Sequence, residues 1–194
     1  MCLEDCLDLN NMHTSGNQLI DPHLLFDKAR IHSGMHIADL GCGRIGHVVF
    51  PGAMVVGEMG LVYAVDILKD VLENVRKRAA MENLLNVHTI WSDLEKSGST
   101  SIPEHNLDAG FIINVLWQAK NRSAILDEAL RLLKEKARLV VVDWARDSLS
   151  FAPPKDKLVN FDEIKKWARS KNLFIQEEFV AGPYHKGLVL FKQV

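Results

Sequence analysis

Short apolar runs alternate with segments of helical periodicity along most of the chain. The apolar runs predict five strands, over Met35 to Leu40, Leu61 to Val65, Val87 to Trp91, Leu107 to Val115 and Arg138 to Val142. Such continuous apolar runs suit parallel strands that are buried on both faces. Strands that alternate with helices predict an α/β fold, in which helices cover both faces of a parallel sheet.

Helices are predicted between these strands. The clearest one carries apolar residues at helical spacing, namely Leu68, Val71, Leu72, Val75 and Ala79. Other helices are expected to begin at Pro22 and Asn160 and to span Gly46 to Val56 and Arg122 to Lys134. Asn160, with Glu163 three residues later, resembles a capping box, which supports a helix start there.

The two ends of the chain differ in character. Residues 1–19 are polar and mixed, without a clear period, and are predicted to form a tail or a flap. The segments Leu173 to Val180 and Gly187 to Lys192 are apolar-rich and predict an antiparallel hairpin. We therefore expect one domain over residues 20–194, because a chain of 194 residues is long enough for one sizeable core.

Bulk properties exclude several classes of partner. The net charge is −2, so no strong overall field attracts nucleic acid or an anionic membrane. The longest apolar stretch, Val48 to Val56, is far short of the ~20 residues of a membrane span. The first residues lack the basic start and apolar run of a signal peptide, so a cytoplasmic location is expected. The oligomeric state stays open.

The three cysteines give little sign of metal chemistry. Cys2 and Cys6 form either a ligand pair or two free thiols, and no second ligand pair occurs at a zinc spacing. Free thiols are favoured, and no metal site is predicted. Cys42 is either a nucleophile or a small residue that fills space beside a strand end, and its sequence neighbourhood offers no evident histidine partner.

A glycine-rich turn follows the first predicted strand. Gly41 to Gly46 matches the pattern G-x-G-x-x-G, and Asp66 lies twenty residues beyond the last glycine. Glycines in such a turn let a ligand approach the backbone, and an acid at this distance can accept hydrogen bonds from ribose hydroxyls. Taken alone, the pattern indicates a dinucleotide site.

Three features argue against a dinucleotide. Asp39 precedes the first glycine by two residues, where a carboxylate suits a cationic amino group better than a pyrophosphate. Asp93, at the end of the third strand, offers an acceptor for an adenine amino group. The sheet and its hairpin also consume the whole chain, which leaves no separate substrate domain of the kind that hydride-transfer enzymes usually add.

Successive motifs resemble those of class I S-adenosylmethionine-dependent methyltransferases, most closely the small-molecule enzymes of the ubiquinone/menaquinone type. The motifs are residues 38–43, 62–67, 92–94 and 107–111. The resemblance covers about residues 20–194. It implies a Rossmann-like class I methyltransferase fold, with a seven-stranded, mostly parallel sheet whose last strand is antiparallel. S-adenosyl-L-methionine is the implied cofactor and a small molecule is the implied methyl acceptor.

The resemblance also implies roles for individual residues. Asp39 would lie near the methionine amino group, directly or through water, and Gly41 and Gly43 would pass beneath the methionine part. Asp66 would hold the ribose hydroxyls and Ile67 would pack on the adenine. The remaining implied contacts are Asp93 and Leu94 at the adenine, and Asn114 at the border between the sulfonium and the substrate.

The turn departs from the family pattern at Arg44-Ile45, which delays the third glycine by one residue. Arg44 either pairs with the methionine carboxylate, fills the pocket or points to solvent. The strand-four end lacks the Asn/Asp-Pro-Pro-aromatic pattern of enzymes that methylate base amino groups, which argues against a nucleobase nitrogen as acceptor. Two alternatives remain: a non-catalytic S-adenosylmethionine-binding protein and an NAD-binding oxidoreductase.

Further candidates lie near the strand ends. His47 is either a general base near the cleft or a histidine that bonds locally, and Asp143 is either a base or a cap at a strand end. Three aromatic residues either line an acceptor pocket or pack in the core, with packing the default: Trp117, Trp144 and Phe151. The catalytic residues stay open, because displacement at an activated sulfonium requires no fixed catalytic set.

Overall fold

Seven strands form one sheet in the computed structural model, which describes residues 16–193. The strands are β1 (His36–Leu40), β2 (Leu61–Asp66), β3 (Val87–Trp91), β4 (Leu107–Ile113), β5 (Leu133–Trp144), β6 (Leu173–Gly182) and β7 (His185–Lys192). Their order across the sheet is β3-β2-β1-β4-β5-β7-β6. The first five strands pair in parallel, and β7 is antiparallel to both β5 and β6. The predicted sheet is confirmed.

In residues 16–193, five α-helices pack on the sheet. They are α1 (Pro22–Ala29), α2 (Val49–Val56), α3 (Lys69–Met81), α4 (Arg122–Leu132) and α5 (Phe161–Ser170). The predicted cap at Asn160 is present, since its side-chain oxygen accepts from the Asp162 backbone N–H at 3.0 Å. Within residues 16–193, no helix is long and apolar enough to span a membrane.

The two faces of the sheet bury separate apolar cores. One core joins the sheet to α1, α2 and α3, through residues such as Phe26, Phe50 and Val75. The other joins it to α4 and α5, through residues such as Leu126 and Ile164. Burial on both faces explains why the central strands are continuous apolar runs rather than alternating ones.

Some element boundaries differ from the prediction. The helical pattern predicted α4 to continue to Lys134, but Leu133 pairs with Leu107 in the sheet and already belongs to β5. The ladder then shifts register before it resumes at Arg138, and Lys136 in that gap has a positive φ of 60°. Pairing in the sheet therefore overrode local helical propensity.

The carboxyl ends of the parallel strands meet at one edge of the sheet. Asp39 pairs with Ala64 of β2 and Phe111 of β4, so the three strands end side by side. β4 ends at Ile113, two residues earlier than predicted, because Asn114 adopts a left-handed φ of 57°. The polar residues that follow each strand are thereby brought to the same edge, where open α/β sheets bind their ligands.

Candidate functional site

A cleft of about 620 Å³ opens at the carboxyl edge of the sheet. Its walls are the turns that follow β1 to β5, together with Gly16 and Asn17 from the start of the described chain. Eight of the nine predicted cofactor-binding residues line it: Gly41, Gly43, Arg44, Asp66, Ile67, Asp93, Leu94 and Asn114. The ninth, Asp39, is not among the lining residues and is only 2% exposed.

The glycine turn brings bare backbone to the cleft. Gly41 has a φ of +95°, and a Cβ there would lie 2.4 Å from the Val115 side chain. Gly43 has a φ of +61°, and a Cβ there would have no heavy atom within 4 Å. Gly41 therefore permits close packing with the neighbouring turn, while Gly43 leaves its backbone open to a ligand.

Asp66 is held rigidly at the floor of the cleft. Its Oδ2 accepts the Gly43 N–H at 3.0 Å and its Oδ1 accepts the Leu68 N–H at 2.9 Å. A carboxylate has about four acceptor positions, so each oxygen can accept a further hydrogen bond. The side chain is therefore fixed in place while it keeps the capacity to bind the two hydroxyls of a ribose.

Asp39 is buried beneath the cleft rather than placed on its wall. Burial and the neighbouring charge of Asp66 raise the pKa of Asp39 to about 7, while a hydrogen bond from the Val48 backbone opposes the rise. Since the carboxyl group is closed off from the cleft, contact through an intervening water fits this position better than direct contact.

Asp93 and its neighbours form the cleft wall after β3. One Asp93 oxygen accepts the Glu95 N–H at 3.2 Å, and the other lies 3.3 Å from the Lys96 Nζ. The Asp93 side chain is 23% exposed, so the carboxylate remains accessible from the cleft. Ile67, which is 52% exposed, offers an apolar surface on the adjacent turn. Asp93 thus offers a hydrogen-bond acceptor and Ile67 an apolar surface on neighbouring turns, and an adenine ring could use both.

Arg44 points along the protein surface. Its Nη2 lies 2.6 Å from Asp70 Oδ2 at the start of α3, and the Arg44 side chain is 64% exposed. Of the three orientations left open by the sequence, the surface orientation is the one observed, with Arg44 at the rim of the cleft and paired to an acid of the protein itself.

Replacing Arg44 with alanine is expected to weaken S-adenosylhomocysteine binding by no more than about fivefold. An exposed ion pair contributes only about 0–1 kcal/mol, so its loss changes the turn little. Isothermal calorimetry measures the effect, with Lys77→Ala on the exposed face of α3 as the control. A loss of more than about tenfold would mean that Arg44 leaves Asp70 and binds the cofactor carboxylate.

Gly16 and Asn17 form a second wall that the sequence did not reveal. The Asn114 Nδ2 donates to Asn17 Oδ1 at 2.7 Å, which connects the end of β4 to the N-terminal 3-10 turn. Gly16 lies so close to Trp144 that a Cβ would be 2.3 Å from the indole ring. The segment has no periodicity and no motif, so nothing in the sequence indicated this contact.

The three candidate aromatic residues all line the cleft. Trp144 is 3% exposed and meets Phe151 edge to face, with ring centroids 6.0 Å apart. Behind Trp144 lies the His185 ring, 4.3 Å away, and burial lowers the pKa of His185 to about 4. Trp144 is thus fixed by a neutral histidine on one side, while Trp117 and Phe151 extend the aromatic wall.

Asp143 supports the turn after β4. It is fully buried and accepts the backbone N–H groups of Trp144 at 2.8 Å and Trp117 at 3.3 Å. Burial raises the pKa of Asp143 to about 7, although those N–H groups and Arg122 oppose the rise. Asp143 does not line the cleft, so its position fits the strand-end cap rather than the base.

His47 and Cys42 also have local roles. His47 Nε2 lies 2.6 Å from the Ile20 carbonyl oxygen and ties the turn before α2 to the segment before α1. Cys42 is buried, and burial together with the charges of Asp39 and Asp66 raises its pKa, which disfavours a thiolate nucleophile. Cys2 and Cys6 lie outside the described residues. In the described part of the chain, no cluster of His, Cys, Asp and Glu could hold a metal ion.

Comparison with known proteins gives a consistent result. A family model described as a methyltransferase domain matches residues 31–184. The aklanonic acid methyltransferase DauC of Streptomyces sp. (strain C5) is 36% identical over 74 residues, which are 38% of this chain and only 33% of that protein.

Two solved structures share the fold. One is a SAM-dependent methyltransferase from Aquifex aeolicus, at a TM-score of 0.79 and 22% identity, with 90% of both chains covered. The other is the [4+2]-cyclase SpnF, at a TM-score of 0.75 and 15% identity, with 92% of this chain and 81% of that one covered. The family match spans most of the chain and the fold agrees over nearly all of it. The chain therefore belongs to the methyltransferase-domain family, with the fold of class I S-adenosylmethionine-dependent methyltransferases.

Proposed function

We propose that this protein transfers a methyl group from S-adenosylmethionine to a small molecule. The observation that carries the proposal is the placement of Asp66 and Gly43 at the cleft. Asp66 is anchored by two backbone N–H groups and keeps free lone pairs, beside a glycine backbone with open space above it. This arrangement suits the ribose of a nucleoside, and the match to a methyltransferase domain supports S-adenosylmethionine rather than a dinucleotide as that nucleoside.

The residues of the cleft fit the cofactor in order along the edge of the sheet. Asp66 binds the ribose hydroxyls, Ile67 and Leu94 pack on the adenine, and Asp93 accepts from its amino group. The methionine part lies over the glycine turn, with Asn114 at its far end. When bound, S-adenosylmethionine would supply a methyl group on a cationic sulfur. A lone pair of the acceptor would form the new bond to the methyl carbon, the carbon–sulfur bonding pair would go to sulfur, and a hydroxyl or amine acceptor would release its proton to water.

A small methyl acceptor suits the part of the cleft that the cofactor would leave unfilled. Trp117, Trp144 and Phe151, with Gly16 and Asn17 of the N-terminal turn, line the part of the cleft beside β4 and β5, which offers a compact acceptor an apolar surface. DauC, which matches part of this chain, is a methyltransferase of aklanonic acid, itself a small molecule. That relationship supports the substrate class but not the identity of the substrate.

The composition supports a cytoplasmic enzyme without a nucleic-acid partner. A net charge of −2 offers no overall attraction for phosphate backbones. Cys42 is a free, buried thiol, which is compatible with a reducing compartment.

Calorimetric titration with S-adenosylmethionine, S-adenosylhomocysteine and NAD tests the cofactor assignment. We expect micromolar or tighter binding of the first two and no binding of NAD. Binding of NAD alone would overturn the proposal and favour an oxidoreductase.

Transfer itself needs a separate assay, because a [4+2]-cyclase shares this fold. Purified protein is incubated with a cell extract and S-adenosylmethionine labelled in the methyl group, and the extract is profiled by mass spectrometry. A labelled small molecule that depends on the protein supports the proposal. Tight cofactor binding without any labelled product would favour a non-catalytic S-adenosylmethionine-binding protein.

A further inference from the structure

One buried polar atom at the cleft has no partner. Asn114 is 8% exposed, and its Oδ1 accepts no hydrogen bond from any described residue. The residue lines the cleft where β4 ends, between the glycine turn and the aromatic wall. Because a buried carbonyl oxygen is unfavourable without a donor, this atom indicates a ligand that brings one.

The backbone of Asn114 is held at two points and its side-chain amide by a hydrogen bond to Asn17. Its backbone N–H donates to the Val142 oxygen at 2.9 Å, and its backbone oxygen accepts from Gln118 Nε2 at 3.1 Å. Its Nδ2 donates to Asn17 Oδ1 at 2.7 Å. Since Asn17 takes the NH₂ group, the carbonyl oxygen is the part of the amide that is left for a ligand.

Asn17 is itself held in place by the turn that contains it. Gly16 packs directly on the Trp144 ring, and the Leu19 carbonyl oxygen lies only 2.4 Å from where a Cβ on Gly182 would be. These close contacts fix both ends of the 3-10 turn against β5 and β6. Asn17 therefore has the rigidity that a positioning residue needs.

The side chains around Asn114 indicate the charge and shape of the ligand that carries this donor. The described cleft residues that follow β4 and β5 are uncharged, and three of them are aromatic: Trp117, Trp144 and Phe151. The charged residues of the cleft belong to the turns after β1, β2 and β3, where the cofactor is placed. An uncharged, flat ring suits the aromatic half, because aromatic rings pack edge to face or offset on one another.

We propose that the methyl acceptor is an uncharged ring compound whose hydroxyl or amine donates a hydrogen bond to Asn114 Oδ1, with Asn17 as the positioning residue. This inference rests on the proposed function, since it assigns the acceptor side of the same cleft. A hydroxyl and an amine both satisfy this proposal, because each carries a hydrogen that can be donated to Asn114 Oδ1.

The proposed hydrogen bond is tested with three ring compounds of similar size: phenol, aniline and fluorobenzene. Phenol and aniline carry a hydrogen-bond donor, whereas fluorobenzene carries none. Each is titrated by NMR into protein saturated with S-adenosylhomocysteine, so that no turnover occurs. We expect phenol or aniline to bind about five- to tenfold more tightly than fluorobenzene, the scale of one net hydrogen bond. The tighter of the two identifies the donor as hydroxyl or amine.

Variants test whether the preference for donor-bearing rings depends on Asn114 and Asn17. Asn114→Gly, which tolerates the positive φ, is expected to abolish the preference for the two probes that carry a donor. Asn17→Ala is expected to reduce the preference at least threefold while fluorobenzene and S-adenosylhomocysteine affinities stay within twofold. Asn86→Ala is the matched control, because Asn86 bonds the Ala53 and Gly57 carbonyls away from the cleft.

Two results would overturn the inference: equal binding of the three probes to the wild type, or a donor preference that persists in Asn114→Gly. Failure of the wild type to bind S-adenosylhomocysteine is a different result, and it counts against the proposed function.

Discussion

Replacing Asp66 with alanine is expected to weaken S-adenosylhomocysteine binding by about 1.5–3 kcal/mol, which corresponds to about ten- to 150-fold. The variant loses the hydrogen bonds to the ribose. It also releases the Gly43 and Leu68 N–H groups, so the glycine turn is no longer fixed against β2. Calorimetry on the wild type and the variant measures the difference directly.

Asp108→Ala is the matched control for this experiment. Asp108 also accepts a backbone N–H, that of His36 at 2.8 Å, but it lies at the opposite end of the strands, beside Lys134. We expect this variant to lose stability without losing cofactor affinity. If Asp66→Ala binds S-adenosylhomocysteine as tightly as the wild type, the ribose does not lie at Asp66.

Glu128→Gln is expected to lower the free energy of unfolding by about 3 kcal/mol at pH 7. Glu128 is fully buried in α4 and accepts the Gly98 N–H at 2.8 Å and the Thr100 N–H at 3.1 Å. Arg131 Nη2 donates to the same carboxylate at 2.6 Å. A glutamine would place an NH₂ group against one of these donors and leave Arg131 without its buried counter-charge. Urea unfolding followed by circular dichroism measures the loss.

The effect of Glu128 should depend on pH in a defined direction. Burial alone would raise its pKa, but the hydrogen bonds from Arg131, Thr100 and Gly98 outweigh burial and hold the pKa at about 2. Because the folded pKa lies below the ordinary value of 4.5, the stabilisation is complete above pH 4.5 and is lost as the pH falls towards 2. The difference between wild type and Glu128→Gln should therefore shrink across that range.

Glu104→Gln provides the comparison for Glu128. Glu104 approaches the same arginine, Arg131, at 3.5 Å, but its side chain is 62% exposed. We expect a change below about 1 kcal/mol, because exposed ion pairs are weak. If both variants lost the same free energy of unfolding, the buried hydrogen bonds of Glu128 would add nothing to its charge interaction with Arg131.

The sequence predicted those site residues whose positions are set by the strands of the sheet. Asp66, Asp93 and Asn114 lie at or just after the carboxyl ends of parallel strands, and the sheet brings every such position to the same edge. Asp39 lies within β1, where its carboxyl group is buried below the turn that follows, and no sequence pattern indicates that burial.

Contacts between distant segments were not predictable. Asn17 accepts a hydrogen bond from Asn114 across 97 positions of sequence, and the neighbouring Gly16 packs on Trp144; neither contact leaves a periodic signal in the sequence. The same holds for the early start of β5, where pairing between Leu133 and Leu107 overrides a local pattern that favours a helix. In both places a long-range interaction decided the conformation.

The position of β7 has a consequence for how the protein is made. β7 pairs with both β5 and β6, although it follows both along the chain. While residues 185–192 are still unmade on the ribosome, β5 presents an unpaired edge and β6 has no neighbour in the sheet. Such an edge is a template for pairing with other chains. Strands β1 to β4, with the glycine turn, can assemble before β7 is made, whereas β5, which carries Trp144, keeps an unpaired edge until residues 185–192 emerge. A chain released from the ribosome before residue 185 would therefore have an intact glycine turn and an aggregation-prone edge.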